Sequence, residues 1–275
     1  MLNAFFDSVA LFELPGRGRI KVTGEDRKRL LHAMTTNHVQ QLEPGQGCYA
    51  FFLSAQGRIQ SDVTILAAAS HLLLDVEPAQ REKVFQHLDK YIIADDVTLE
   101  DVTEQQTTLA LEGPAAQNLL ESIGAPVPAN SYDSAEWAGR LIVKTSYSGA
   151  DGYHIYLSPL DAPILRETLQ DAGAREAAPG EVETARLLHA RPLYGVDITD
   201  ANLPQETQLT HALHFSKGCY LGQEIVERVR SRGHVNKLLT RLEYDEGAEP
   251  SATAITSSAR DPRNNKIVAL AYVRA

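Results

Sequence analysis

What most constrains this chain is how often its hydrophobic period changes. Apolar residues alternate in twos, recur at three and four, and return to alternation repeatedly between residues 19 and 273. A fold of one element type would hold one period, so the pattern demands mixed α and β structure. Residues 19–23 read as a strand. They lead into a helix in which Leu30, Leu31 and Met34 share a face, with Thr23 and Asp26 spaced like a capping box in which Asp replaces Glu. Residues 49–53, 62–66 and 72–76 are three strand candidates separated by turn-like segments, which is the pattern of an antiparallel meander. Pro78 suits the first turn of a helix that aligns Val84, Phe85 and Leu88, and a strand is expected at 97–99.

Further on, residues 109–111 read as a strand. A helix carrying Ala116, Leu119, Leu120 and Ile123 follows, and Gly124 stops it. The two prolines of residues 125–130 mark a linker. Strands at 141–145 and 153–157 and a helix bearing Ile164, Leu165 and Leu169 come next. Residues 181–190 form another helix, ended at Arg191-Pro192 because proline disfavours helical geometry in the residue before it. Leu238, Thr240, Leu242 and Tyr244 alternate, and 267–273 is a buried-strand run. No fixed-period repeat is visible.

At 275 residues the chain can bury a core without disulfides, and its 43% hydrophobic and 23% charged residues are those of an ordinary folded protein. Its formal charge of −10 makes it a poor global partner for nucleic acid or an anionic membrane, so any anionic partner must find a local patch. Cys48 and Cys219 are the sole thiols, too few for a zinc array or a disulfide lattice. The N-terminus lacks a basic n-region, and the longest apolar window, 63–76, is interrupted by Thr64, Ser70, His71 and Asp75. A cytoplasmic location without membrane insertion is the expectation.

The most specific string is Ser216-Lys217-Gly218-Cys219-Tyr220-Leu221-Gly222-Gln223-Glu224. A helix starting near Leu221 would bring unpaired backbone N–H groups close to Cys219, and with Lys217 nearby these would favour a thiolate. Cys219 is therefore the candidate reactive thiol; the competing reading is a small buried apolar filler. Cys48 opens a strand and reads as core. Between residues 227 and 241, Arg228, Arg230, Arg232, Lys237 and Arg241 against Glu227 give a local charge of +4. This fits a polyglutamate tail, RNA phosphates or a solvated basic face, and no interleaved aromatics favour base stacking.

The string K-G-C-Y-x-G-Q-E resembles the signature of the YgfZ-type folate-binding proteins, relatives of the glycine-cleavage T-protein (aminomethyltransferase) that support iron–sulfur enzymes. Other segments are similar to the same family in the same order: Thr35-Thr36-Asn37, Leu42 to Gln46, Gln56-Gly57-Arg58, Leu111 to Ala116, Tyr147 to Tyr153, Ala185-Arg186-Leu187, Pro192 to Gly195 and Leu203 to Glu206. The cysteine string selects the YgfZ branch, since the T-protein reads K-G-D-F-I-G there.

The resemblance implies an α+β, T-protein-like cloverleaf of mixed subdomains around a central channel for tetrahydrofolate, with a short C-terminal β segment as a truncated barrel. Residues 1–235 would form the folate-binding region, two interleaved subdomains with boundaries near 48, 106 and 180, and residues 236–275 the β domain. Only 51 residues follow Glu224, where the family usually has a much longer β-barrel-like domain, so the first and last strands are expected with the middle missing.

A reduced folate has a pterin edge suited to a carboxylate and an acidic tail suited to Arg or Lys. His154 stands where the T-protein has the pterin-binding Glu, so Glu206 or another acid takes that role or folate binds more weakly. Ser61-Asp62 aligns with a paired Asp-Asp; one acid survives, which argues against efficient aminomethyl transfer, and Asp62 would orient a ligand or sit at a strand edge. Arg186 is the expected folate contact, with Lys217 and Tyr194 as further folate-site residues. The implied function is a folate-binding protein that assists iron–sulfur cluster assembly or repair and cluster-dependent tRNA modification. Cys219 would serve redox exchange or transient contact with an iron–sulfur cluster. The partners implied are assembly or cluster-containing proteins and a weak RNA contact. The alternative is a tetrahydrofolate-dependent aminomethyl or methyl transferase with Asp62 as its acid–base group.

Overall fold

The computed structural model describes residues 2–248, 250 and 254–275. In chain order the first part comprises α1 (Ala4–Asp7), β1 (Ala10–Glu13), β2 (Gly18–Thr23), α2 (Arg27–Met34), β3 (Gly47–Leu53), β4 (Ile59–Ala67), β5 (Leu72–Val76), α3 (Arg81–Asp89) and β6 (Thr98–Asp101). Next come β7 (Thr107–Glu112), α4 (Ala116–Ser122), β8 (Ser134–Trp137), β9 (Arg140–Val143), β10 (Gly152–Leu157), α5 (Ala162–Asp171), β11 (Arg175–Glu176) and α6 (Pro179–Leu188). The last part holds α7 (Gln223–Arg232), β12 (Lys237–Tyr244), β13 (Ala254–Arg260) and β14 (Ile267–Arg274).

The strands form three sheets, ordered β3-β4-β5-β2-β6, β11-β1-β7-β10-β9-β8 and β12-β14-β13. The expected meander is present, since β3, β4 and β5 pair antiparallel in sequence order. In the first sheet one face carries Ala50, Phe52, Val63, Ile65, Leu72 and Leu74 and packs on α2 and α3 through Leu30, Leu31, Val84 and Leu88. The second sheet does the same with Leu109, Leu111, Tyr153 and Ile155 against Leu119 and Leu120 of α4 and Leu165 and Leu169 of α5.

Strand period fixes what the opposite faces carry. On β3, Tyr49, Phe51 and Leu53 turn away from the first core and join a third, with Leu187, Ile198 and Val226 and with Leu239, Val268 and Leu270 of the C-terminal sheet. On β5 the off-phase residues are Leu73 and Asp75, and on β10 they are His154 and Tyr156. Leu66 and Leu73 of the first sheet meet Val143 and Tyr156 of the second. The two large sheets thus face each other with the sides turned away from α2–α3 and α4–α5, and the polar off-phase residues are enclosed between them.

Three local expectations are corrected, and strands β1 and β8 answer to none. The Thr23/Asp26 capping box does not form: α2 has no side-chain cap, and Asp26 instead accepts from the backbone N of Asp96 and from Arg29. Strands β1 and β8, four residues each, are too short to establish a period. Strand β13 is mostly exposed, so its polar sequence carries no apolar alternation; it completes the C-terminal sheet, which is an open sheet with edges at β12 and β13. Ile164 does not share the buried face of α5 and is 65% exposed, while Leu165 and Leu169 are buried.

Candidate functional site

Between the two sheets lies a crevice of about 40 Å³ whose lining includes Arg17, Tyr49, Asp62, Asp75, Glu77, His154, Tyr156, Arg186 and Arg191. It shares Thr145, Ser146 and Arg191 with a mouth of about 320 Å³ that is also lined by Tyr132, Lys144 and Asp151. Pockets for small molecules run to roughly 300–1,000 Å³, so the mouth has ligand size and the crevice is its inner extension.

The inner wall is an ion-pair network. Arg17 Nε donates to Asp75 at 2.7 Å, Arg17 also pairs with Glu77, and Arg19 reaches the same Asp75 oxygen at 2.9 Å. The Tyr156 hydroxyl donates to the other Asp75 oxygen at 2.6 Å, and Arg19 lies 4.2 Å over the Tyr156 ring. Burial alone would raise the Asp75 carboxyl, but Arg17 and Arg19 outweigh it and hold the group below the ordinary carboxylate range.

Asp62 behaves differently. Burial pushes its carboxyl above the ordinary range, against the hydroxyl of Tyr49, which donates to it at 2.8 Å, and against Arg17 and Arg191. A carboxyl raised in this way can hold or release a proton closer to neutrality than a solvated aspartate can.

Two arginines from the end of α6 line the crevice with different commitments. Arg186 is 1% exposed and internally satisfied. Its guanidinium pairs with Asp197 at 2.5 Å and Glu183 at 2.5 Å, and donates to Ser257 Oγ and to the backbone oxygen of Arg191. Arg191 lies 5.2 Å over the Tyr49 ring, and among the described residues no carboxylate comes within 4 Å of it. Tyr49, Tyr132 and His211 form an aromatic cluster beside it, with Tyr49 and Tyr132 stacked at 6.3 Å.

Of the residues singled out from sequence, the crevice brings together Asp62, His154 and Arg186. The others lie elsewhere. Tyr194 is buried, and its hydroxyl donates to the backbone oxygen of Gln60 at 2.7 Å. Glu206 accepts from Leu203 N and Asn202 Nδ2 and lines a separate cleft with Arg58, Lys237 and Arg274. Lys217 is buried, and its ammonium donates to the backbone oxygens of His32 and Thr35 at the end of α2; burial lowers it to about 8.

That clamp seats the cysteine loop. Cys219 is exposed and precedes Gly222, which caps the start of α7, by three residues, so the helix end lies beyond the cysteine itself. The close approach that fixes α7 is at Gly222, whose φ is +83° and where a Cβ would fall 2.5 Å from the backbone oxygen of Ser54. Cys48 is buried, and burial pushes its thiol up to about 12. Among the described residues no group of three or more His, Cys, Asp or Glu side chains is placed to hold a metal ion. No helix among them is long and apolar enough to cross a membrane.

Sequence reasoning missed Arg17, Asp75, Glu77, Tyr156 and Arg191. Asp75 had a signal, as a carboxylate interrupting an apolar strand. Arg191 was visible only as the residue ahead of a proline. Nothing in the sequence said that either would meet the other sheet's face.

The fold is that of a mixed α+β protein of the aminomethyltransferase type. The crystal structure of glycine cleavage system aminomethyltransferase T from Bartonella henselae superposes with a TM-score of 0.84 at 21% identity, covering 99% of this chain and 80% of that one. The model of the GCVT N-terminal domain matches residues 2–217, and the chain belongs to that family. The aminomethyltransferase of Rubrobacter xylanophilus is 32% identical over 281 residues, 96% of this chain and 75% of the relative. That of Geobacillus kaustophilus is 30% identical over 288 residues, 96% of this chain and 79% of the relative.

Proposed function

We propose that this chain binds a reduced folate, with the pterin end toward the crevice and the acidic tail in the mouth. The observation that carries the reading is that one crevice is lined both by a buried acid, Asp62, whose carboxyl burial raises above the ordinary range, and by a guanidinium, Arg191, that has no carboxylate partner among the described residues. A planar guanidinium at a mouth of ligand size suits an acidic tail. Arg186 holds the backbone of Arg191 in place from behind.

On this reading the protein assists iron–sulfur cluster assembly or repair, and through it cluster-dependent tRNA modification. The K-G-C-Y-L-G-Q-E string and its exposed, clamped Cys219 support that role, with the cluster as cargo whose remaining ligands come from a partner. Cys219→Ser is expected to abolish support of cluster enzymes in cells while leaving folate binding intact; undiminished cluster-enzyme activity removes the thiol role.

The names of the relatives favour a second reading, tetrahydrofolate-dependent aminomethyl transfer with Asp62 as the acid–base group. Incubation with an aminomethylated lipoyl carrier and tetrahydrofolate separates the two. The assisting role predicts little ammonia and methylene-tetrahydrofolate; rapid formation of both establishes the transferase.

A further inference from the structure

The basic run near the C-terminus divides once the chain is folded. Arg230 pairs with Glu227 at 3.3 Å and Arg241 donates to the backbone oxygen of Leu188, while Lys237 lines a cleft of about 460 Å³. Arg58, Ala201, Glu206, Asn236 and Arg274 complete the lining. The cations come from three segments: Arg58 from the turn between β3 and β4, Lys237 from the start of β12 and Arg274 from the end of β14. The cleft shares no lining residue with the crevice or its mouth.

Strand register forces two of these cations together. Lys237 stands directly opposite Arg274, and two residues further in Leu239 stands opposite Tyr272. The period of two puts both pairs on one face, and Leu239 and Tyr272 are buried in the third core. The cations therefore continue the inward-facing row at the rim of that core. Like charges directly opposite each other are destabilising, and a chain with 36 acidic residues is not short of acids to pair with them. Yet among the described residues no carboxylate lies within 4 Å of Arg58, Lys237 or Arg274. Arg58 donates one N–H to the backbone oxygen of Ala201, Lys237 lies 4.3 Å over the Tyr272 ring, and the Arg274 guanidinium has no partner among the described residues. The Glu206 carboxylate is occupied in accepting from Leu203 N and Asn202 Nδ2.

We propose that this cleft binds a phosphate dianion, free or as the terminal group of a phosphate monoester. Three cations against one carboxylate leave a formal excess of two positive charges, and a phosphate monoester carries about −1.5 to −2 at neutral pH. The two guanidinium forks match its oxygens, and the Asn236 amide adds a neutral donor. The cleft falls in the size range of small-molecule sites, roughly 300–1,000 Å³, so the rest of a monoester has room. No aromatic ring lines it, so it reads the phosphate and not a stacked base. Bound there, the anion stands between Lys237 and Arg274 and relieves their opposition.

Calorimetric titration of the full chain at low salt with inorganic phosphate, glycerol 2-phosphate and glutarate tests this. One saturable site for phosphate is expected, weakening as salt is raised. Tighter binding of glycerol 2-phosphate identifies a monoester as the source, and equal or weaker binding identifies the free ion. Glutarate, a dicarboxylate of like charge that spreads its oxygens over two centres, should bind about tenfold or more weakly than phosphate. Arg274→Gln and Lys237→Gln should each weaken phosphate binding about tenfold or more, for loss of a charge-assisted hydrogen bond. Without phosphate, Arg274→Gln should melt no lower than the wild type, because it ends the opposition of like charges; added phosphate should raise the wild-type melting temperature more than the variant's. No saturable phosphate binding, glutarate bound as tightly as phosphate, or phosphate affinity unaltered in both variants overturns the proposal. So does an Arg274→Gln protein that melts well below the wild type without phosphate, since the guanidinium would then serve the fold and not an anion.

Discussion

Asp75 is one carboxylate serving two guanidinium groups and a phenol, which makes it the most consequential single side chain of the seam. Asp75→Asn leaves Arg17 and Arg19 short of a buried counter-charge, and a loss of about 3–5 kcal/mol is expected in urea unfolding; a loss under about 1 kcal/mol contradicts the network's role. The pH dependence follows from the sign of the shift. Because Asp75 titrates lower when folded than when unfolded, its stabilisation is complete above the ordinary carboxylate range and fades as pH falls through the lowered value, so the deficit of the variant shrinks in acid. Lys217 gives a dependence of the same sign at higher pH. Burial brings it from 10.5 to about 8, so between those values the unfolded chain binds more protons and stability rises with pH. Lys217→Met should lack that rise, and parallel pH curves for variant and wild type would refute the assignment. At this scale the sequence was informative about residue type and poor about partners: His154 was marked as a departure from its family, but Glu112, 42 positions away, could be connected to it only once β7 and β10 were paired.

Strand β3 does double duty among the elements, because its two faces enter different cores. Cys48, Ala50 and Phe52 pack with α2 and α3, whereas Tyr49, Phe51 and Leu53 pack with α7 and the C-terminal sheet. Phe51→Ala is expected to cost about 3–5 kcal/mol and to loosen the C-terminal sheet together with the rest. Hydrogen exchange checks this: faster exchange in β12 and β14 is expected, and unchanged protection there contradicts the coupling. Gly222→Ala should unseat α7, since its Cβ would strike the backbone of the β3–β4 turn. The strands β3, β4, β10, β12 and β14 and most helices were legible because each runs over enough residues to show its pattern. Strands β1, β8 and β13 were not, being too short or too exposed for burial to write a pattern. The capping box failed because Asp26 found a better donor across the fold, at Asp96.

For the whole molecule, the decisive event is the meeting of the two large sheets through the faces turned away from α2–α3 and α4–α5, with charged residues trapped between them. Periodicity shows that a strand has two faces but not which other sheet one of them will meet, so the crevice was reachable from sequence only through the resemblance. The same resemblance pointed to Arg186, which the fold has committed to Glu183 and Asp197, and not to Arg191, which remains open toward the mouth. The central claim is that this seam holds a reduced folate through Arg191. Calorimetry with tetrahydrofolate on the wild type and on Arg191→Met tests it most directly: one saturable site per chain is predicted, weakened about 10- to 100-fold in the variant for loss of a charge-assisted contact. No heat of binding in the wild type, or equal affinity in the two proteins, would contradict it.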